Sequence, residues 1–73
     1  MRLSEFRLAV AEEFGDGLGR ALVRELVVDG LGGRTPDQAL EAGIPPREVW
    51  TELCRATDVP RDRWHGRGRR SPA

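Results

Sequence analysis

The stretch from Thr35 to Pro46, TPDQALEAGIPP, constrains the fold of this chain most tightly. Thr35 and Gln38 have capping-box spacing, in which the hydroxyl accepts from one free backbone N–H and the amide reaches back to the other. Pro36 takes the first helical position, where its missing N–H costs nothing. Gly43 suits the left-handed turn that ends a helix. The stretch therefore predicts a two-turn helix, a tight corner and a further helix that begins at Pro46.

Two earlier helices are predicted from the apolar spacing. The first begins after Ser4 as N-cap, with Leu3 and Leu8 at hydrophobic-staple spacing, and ends at Gly15. Its buried stripe is Phe6, Val10 and Phe14. The second runs from about Asp16 to Asp29 and ends in a Schellman turn at Gly30 and Leu31. Its apolar face comprises Leu18, Leu22 and Leu26, widened by Val23, Val27 and Val28.

The helix from Pro46 is predicted to bury a large part of the core, and it must end before Pro60. Its inward positions are Val49, Trp50, Leu53 and Thr57. Trp64 is expected to dock on the core, whereas residues 65–73 are rich in Gly, Arg, Ser and Pro and are expected to be disordered. No strand is predicted. The fold class is therefore all-α: a compact bundle of about four short helices over residues 1–64, followed by a basic tail over 65–73.

Composition excludes several classes of function. A chain of 73 residues with one Cys cannot form an internal disulfide, which favours a reducing, cytoplasmic setting. No apolar run reaches the roughly 20 residues of a membrane span, and the acidic N-terminus is unlike a signal peptide. We expect Cys54 to be buried and inert, and Glu12 and Glu13 to be solvated charges. One Cys and one His, His65, cannot build a structural zinc site. No catalytic residue, metal or cofactor is predicted, and the protein is expected not to be an enzyme.

The net charge of zero hides an asymmetry. Residues 1–60 hold seven Arg and eleven acids (7 − 11 = −4), and residues 61–73 hold five Arg and one Asp (5 − 1 = +4). The basic segment could neutralise phosphates, with Trp64 stacking on a base. Such a segment is more often only a solvated chain end, and a further alternative is that it folds over the acidic body of its own chain or a partner. Its candidate contacts are Arg61, Arg63, Arg67, Arg69 and Arg70.

A degenerate helix-turn-helix over residues 36–57 is a second candidate site. Ala39, Gly43 and Val49 have the spacing of the motif, which would place the helix from Pro46 in a major groove. However, its outward positions sum to zero charge, and phosphate contact needs a positive surface. Two short capped helices explain the same residues. The candidate contacts here are Arg47, Thr51 and Arg55, together with Arg34, which no capping rule requires.

Four motifs, MRLSEF, LGGRTPDQALEAG, PREVWTELC and DVPRDRW, resemble the small actinobacterial proteins of domain of unknown function 3046. The resemblance covers residues 1–64. It implies a compact helical fold, an actinobacterial source and a gene position near the recombinase of homologous repair, hence regulation or repair. It carries over no catalytic residue. The second helix departs from the family, because DGLGRALVREL lacks the aromatic residues that members often show.

These observations favour a non-catalytic interaction or regulatory module that binds another protein. Val23, Val27 and Val28 are either its contact surface or more core, and Trp50 is either core or an exposed anchor. The alternative is nucleic-acid binding through residues 36–57, the basic tail or both, with a link to DNA repair or recombination. The oligomeric state does not follow from the sequence.

Overall fold

Four α-helices form the part of the chain that the computed structural model describes, residues 1–64. The helices are α1 (Leu3–Phe14), α2 (Asp16–Glu25), α3 (Pro36–Glu41) and α4 (Pro46–Ala56), with 3-10 turns at Asp29–Leu31 and Arg61–Arg63. The all-α prediction is confirmed. Within residues 1–64 the strand-like pairing is a single antiparallel bridge between Val28 and Arg34. The predicted disorder of residues 65–73 lies outside the described residues.

Helix α1 begins at Leu3, and its N-terminus differs from the prediction. Arg2 is the N-cap residue, and its backbone N–H donates to Glu5 Oε1 at 2.7 Å. Ser4 lies inside the first turn, so its predicted cap is wrong. The predicted staple between Leu3 and Leu8 requires Ser4 as N-cap, so it is wrong too, and both leucines are exposed. The C-terminus is as predicted: α1 ends at Phe14, and Gly15 has φ +85°.

Helix α2 is shorter than predicted and ends at Glu25, because Leu26 takes extended backbone at φ −77° and ψ 115°. The chain then turns back on itself: the Val28 N–H donates to the Arg34 carbonyl at 2.9 Å, around the 3-10 turn at Asp29–Leu31. The predicted Schellman ending at Gly30 and Leu31 is therefore wrong. Leu31 is nevertheless buried in the core, as its apolar character requires.

Helix α3 has the predicted caps. Thr35 Oγ1 accepts from the Gln38 N–H at 3.2 Å, and Gln38 Oε1 accepts from the Thr35 N–H at 3.0 Å. Gly43 takes φ +92°, and the Ile44 N–H donates to the Ala39 carbonyl at 3.0 Å. Ile44 is half-buried and packs against the core. The corner between α3 and α4 is thus explained by local hydrogen bonding alone.

Helix α4 is the central element and contacts α1, α3 and the first 3-10 turn. The rings of Phe6 and Phe14 meet Trp50 edge-on, with centroids 6.4 and 6.5 Å away. The burial predicted for Trp50 is confirmed. Four side chains of α4 are buried: Val49, Trp50, Leu53 and Cys54.

Residues 59–64 follow α4 and are called the strap here. Asp58, at φ +59°, turns the chain, and the Val59 N–H donates to the Cys54 carbonyl at 3.0 Å. Thr57 is only half-buried, and its hydroxyl donates to the Leu53 carbonyl at 2.8 Å. Trp64 docks on the core as predicted, because Trp50 Nε1 donates to its carbonyl oxygen.

Candidate interaction surface

Helix α2 packs on the body through Gly19 and Val23, which are its buried residues. The α1 backbone comes very close at Gly19: a Cβ atom there would lie 2.8 Å from Val10 Cγ1 and 3.2 Å from the Val10 carbonyl oxygen. Only a residue without a side chain permits this approach without a shift of Val10. The face of α2 that carries Gly19 and Val23 therefore points into the core, which leaves Leu18 exposed and Leu22 half-buried.

The leucine ridge, defined here as Leu18 and Leu22, lies on α2 away from that packed face. Leu18 is 59 % exposed, and Leu22 is half-buried and outside the core cluster. Residues four apart are neighbours on a helix surface, so the two side chains form one apolar row. The predicted burial of Leu18 is wrong. Gly19, which directly follows Leu18, is the sequence signal that could have shown which face of α2 is packed.

The three valines at the end of this region separate into core and surface. Val23 and Val28 are buried, whereas Val27 is 59 % exposed. Leu26 is half-buried and packs against the core. The exposed apolar surface of this region therefore consists of the leucine ridge and Val27.

A shallow groove of about 200 Å³ lies between α1 and α2. Its apolar lining is Phe6, Val10, Ala11 and Val23, and Arg7, Asp16 and Arg20 are its charged residues. A second groove of about 350 Å³ lies between α1 and α3, where Arg7 Nη2 is 3.9 Å from Asp37 Oδ1. Arg7 lines both grooves. The mixture of charges around them selects no single class of small ligand.

The candidate reading helix, α4, carries its predicted contact residues on one side, and one of them, Arg55, is paired with an acid. Arg47 and Arg55 are exposed and Thr51 is half-buried. Arg55 Nη1 lies 3.4 Å from Glu52 Oε2. The Glu52 carboxylate in turn occupies the space that a side chain on Gly30 would need. The first 3-10 turn therefore covers part of α4, and an acid lies beside Arg55 on the face that was predicted to contact phosphate.

Arg34 has a structural partner that the sequence did not reveal. Its Nη1 donates to the Leu31 carbonyl at 3.1 Å, and its own carbonyl accepts from Val28. Arg34 thus closes the loop between α2 and α3. Arg34 lies apart from α4 in the sequence. The hydrogen bond of its guanidinium gives it a structural role, which the helix-capping rules did not provide.

Both arginines of the strap contact other side chains: Arg63 contacts α1, and Arg61 contacts another residue of the strap. Arg63 Nη2 donates to Glu13 Oε2 at 2.8 Å, and the Arg61 guanidinium lies 5.3 Å from the Trp64 ring centroid. Arg63 therefore lies against an acid of α1, as the acidic-body alternative for the basic segment requires. The predicted contacts Arg67, Arg69 and Arg70 lie outside the described residues.

Glu13 and Cys54 are two ionisable residues whose side chains are buried. The Glu13 side chain is only 4 % exposed, so its predicted solvation is wrong, and its Oε1 atom is buried without a hydrogen-bond partner. Cys54 is buried, as predicted. Burial, with a smaller contribution from the Glu13 charge, raises the pKa of the Cys54 thiol from 9.0 to about 12. A thiol that stays protonated is a poor nucleophile and metal ligand.

Clusters of metal-ligating side chains and membrane-spanning helices are both absent from residues 1–64. No group of three or more His, Cys, Asp or Glu side chains lies together there as a metal site would require. In the same residues no helix has both the length and the apolar character to cross a membrane.

Comparison with known proteins places the chain in a family. Residues 1–62 match the DUF3046 family, described as protein of unknown function. The chain belongs to this family. The DUF3046 match confirms the resemblance seen in the four sequence motifs.

A relative of this DUF3046 protein is found in Mycobacterium tuberculosis: the "Putative envelope-preserving system protein Rv2742c" is 46% identical over 46 residues. These residues are 63% of this chain but only 15% of that protein, so the similarity spans a small part of the relative. No solved structure matches the chain.

Proposed function

We propose that this protein is a non-catalytic module that binds another protein through the leucine ridge of α2. The observation that carries the proposal is the orientation of α2. Its close contact at Gly19 leaves Leu18 59 % exposed and Leu22 half-buried. A leucine side chain makes no hydrogen bonds with water that binding would break. Burial of its exposed surface against a partner is therefore favourable by about 25 cal/mol per Å².

The partner that best fits this ridge is an amphipathic helix. Apolar side chains four residues apart on α2 form a row that packs between the side chains of a second helix. Arg24 and Glu25 are exposed near the C-terminal end of α2 and can pair with charges that flank the apolar stripe of such a helix. The expected partner is therefore a helix with one apolar stripe and charged residues along its edges.

Two further observations support a binding role without catalysis. Burial raises the pKa of the Cys54 thiol to about 12, so this thiol stays protonated and unreactive at neutral pH. In addition, a segment similar to 46 residues of this chain occurs within the much longer Mycobacterium tuberculosis relative, as is common for modules that are joined to other domains. The proposal places the protein in the cytoplasm, because its one Cys suits a reducing compartment.

A photo-crosslinking pair tests the proposal. A photoreactive phenylalanine analogue replaces Leu18 in one variant and Leu8 in the other, in cells of the source organism. Leu8 is the matched control because it is 49 % exposed but lies on α1. We expect one defined protein adduct from position 18 and none from position 8. Equal adduct patterns, or none at either position, would overturn the proposal.

Nucleic-acid binding remains the second proposal, with less support from the contacts. Arg55 and Arg63 each lie beside a glutamate, so binding phosphate would require breaking an ion pair. Binding through α4 or the basic segment would fall steeply between low and physiological salt, and it would fit a role in repair. Absence of duplex and single-strand binding at low salt rules it out. Deletion of residues 65–73 then separates the tail from α4.

A further inference from the structure

Two buried polar groups of the helical body depend on the strap for their partners. Glu13, on α1, has a side chain only 4 % exposed, and its Oε2 accepts from Arg63 Nη2 at 2.8 Å. Trp50, on α4, is buried and donates its Nε1–H to the Trp64 carbonyl. Loss of either partner would leave a buried donor or charge unpaired, which is costly. Together Glu13 and Trp50 form a receptor for one short segment.

The strap is held in shape by its own hydrogen bonds. The Arg63 N–H donates to the Pro60 carbonyl at 2.9 Å, and Trp64 Nε1 donates to the Val59 carbonyl at 2.7 Å. The Arg61 guanidinium lies over the Trp64 ring. None of these contacts involves the helical body. The strap can therefore keep its docking shape whether or not it belongs to the same chain as the receptor.

The connection between α4 and the strap is strained at one residue. Asp58 has φ +59°, and it is the non-glycine residue with positive φ within residues 1–64. The left-handed region is less favourable than extended backbone for a residue with a side chain, although Asp adopts it more readily than most. Extended backbone at Asp58 would relieve that cost and direct the strap away from its own receptor.

We propose that the receptor formed by Glu13 and Trp50 also binds the strap of a second copy, which gives a strap-exchanged dimer. The second copy is the fitting occupant because it supplies Arg63 and the Trp64 carbonyl at the spacing that the receptor already accommodates. The contacts of Glu13 and Trp50 with the strap are then kept. What changes is the turn at Asp58 and the hydrogen bond from the Val59 N–H to the Cys54 carbonyl beside it. The exchange is opposed by the entropy of association, so it becomes populated as the concentration rises.

Exchanging the charges of the ion pair between two variants tests this directly. In Glu13→Arg the receptor and strap are both positive, and in Arg63→Glu both are negative, so neither variant can close its own strap favourably. When the full-length variants are mixed, both pairs are restored only if each strap docks on the other chain. We expect native mass spectrometry to show a 1:1 heterodimer in the mixture and not in either variant alone. A mixture of folded monomers overturns the proposal.

If the charge variants do not fold even when mixed, disulfide crosslinking between two introduced cysteines tests the proposal instead. Glu13→Cys and Arg63→Cys are combined in a Cys54→Ala background, refolded at high concentration and oxidised. We expect a reducible covalent dimer on a non-reducing gel, with the fraction of dimer rising with the refolding concentration. Disulfides formed only within single chains, at every concentration, overturn the proposal.

Discussion

Helices α2 and α4 carry similar apolar rows but use them differently. In α4 the row at Val49 and Leu53 is fully buried, whereas in α2 the row at Leu18 and Leu22 is exposed or half-buried. The difference lies in a glycine: α2 approaches α1 through Gly19, so its small-residue face is packed. Four-residue spacing therefore identifies an apolar face, but backbone approach decides whether that face meets the core or solvent.

Truncation of one leucine from each row gives the largest expected contrast. Leu53→Ala removes a fully buried side chain and should lower the free energy of unfolding by about 2–5 kcal/mol. Leu18→Ala should change it by less than about 0.5 kcal/mol, because that side chain is mostly in water already. Denaturant unfolding followed by circular dichroism measures both. Comparable losses from the two variants would remove the distinction between the helices.

Alkaline pH should destabilise the protein through α4 alone. The pKa of Cys54 is raised from 9.0 to about 12, so the folded state keeps a proton that the unfolded state loses in that interval. The free energy of unfolding should therefore fall as pH rises from 9 to 12. The chain has no Tyr and all of its basic side chains are Arg, so few other groups titrate there. Cys54→Ala should remove the slope; an unchanged slope contradicts the assignment.

Substitution of the two glycines of α2 tests its packed face. Gly19→Ala places a Cβ 2.8 Å from Val10 Cγ1 and should cost about 1–3 kcal/mol through overpacking. Gly17→Ala meets nothing within 4 Å and should stabilise the helix by about 0.5–1 kcal/mol. Opposite shifts in thermal unfolding midpoint are the expected result. A stabilising effect at both positions would mean that α2 does not approach α1 as described.

The smallest expected effect is at the helix ends. Helix α4 turns at Asp58 with φ +59°, while α2 runs directly into extended backbone at Leu26. Asp58→Gly should stabilise the protein by about 0.5–1 kcal/mol, since glycine adopts positive φ at little cost. Leu26→Gly should destabilise it, because Leu26 packs on the core. Thermal melts of the two variants provide the measurement, and a destabilised Asp58→Gly would argue against the left-handed turn.

The sequence predicted those parts of the fold that depend on local hydrogen bonds. The capping box at Thr35 and Gln38 and the corner at Gly43 are both formed as predicted. It placed Trp50 and Cys54 in the core correctly. In each case a residue type and its near neighbours are sufficient to determine the outcome.

Features set by distant contacts could not be predicted in the same way. The burial of Glu13 depends on Arg63, fifty residues further along the chain. The early end of α2 depends on the pairing of Val28 with Arg34. The exposure of Leu18 depends on how closely α1 approaches Gly19. No single-segment pattern contains these distances, and for this reason the sequence indicated Val27 as a possible contact but not Leu18.

The central claim is that α2 presents its leucine ridge to a partner and not to the core. The most direct test uses one variant, Leu18→Ser, in two measurements. The first is its free energy of unfolding. The second places the photoreactive group at position 22 and asks whether Leu18→Ser still forms an adduct with the protein that crosslinks at position 18 when no other residue is changed. We predict unfolding unchanged within about 0.5 kcal/mol and the adduct lost. A destabilised protein, or an adduct formed as before, would contradict the claim.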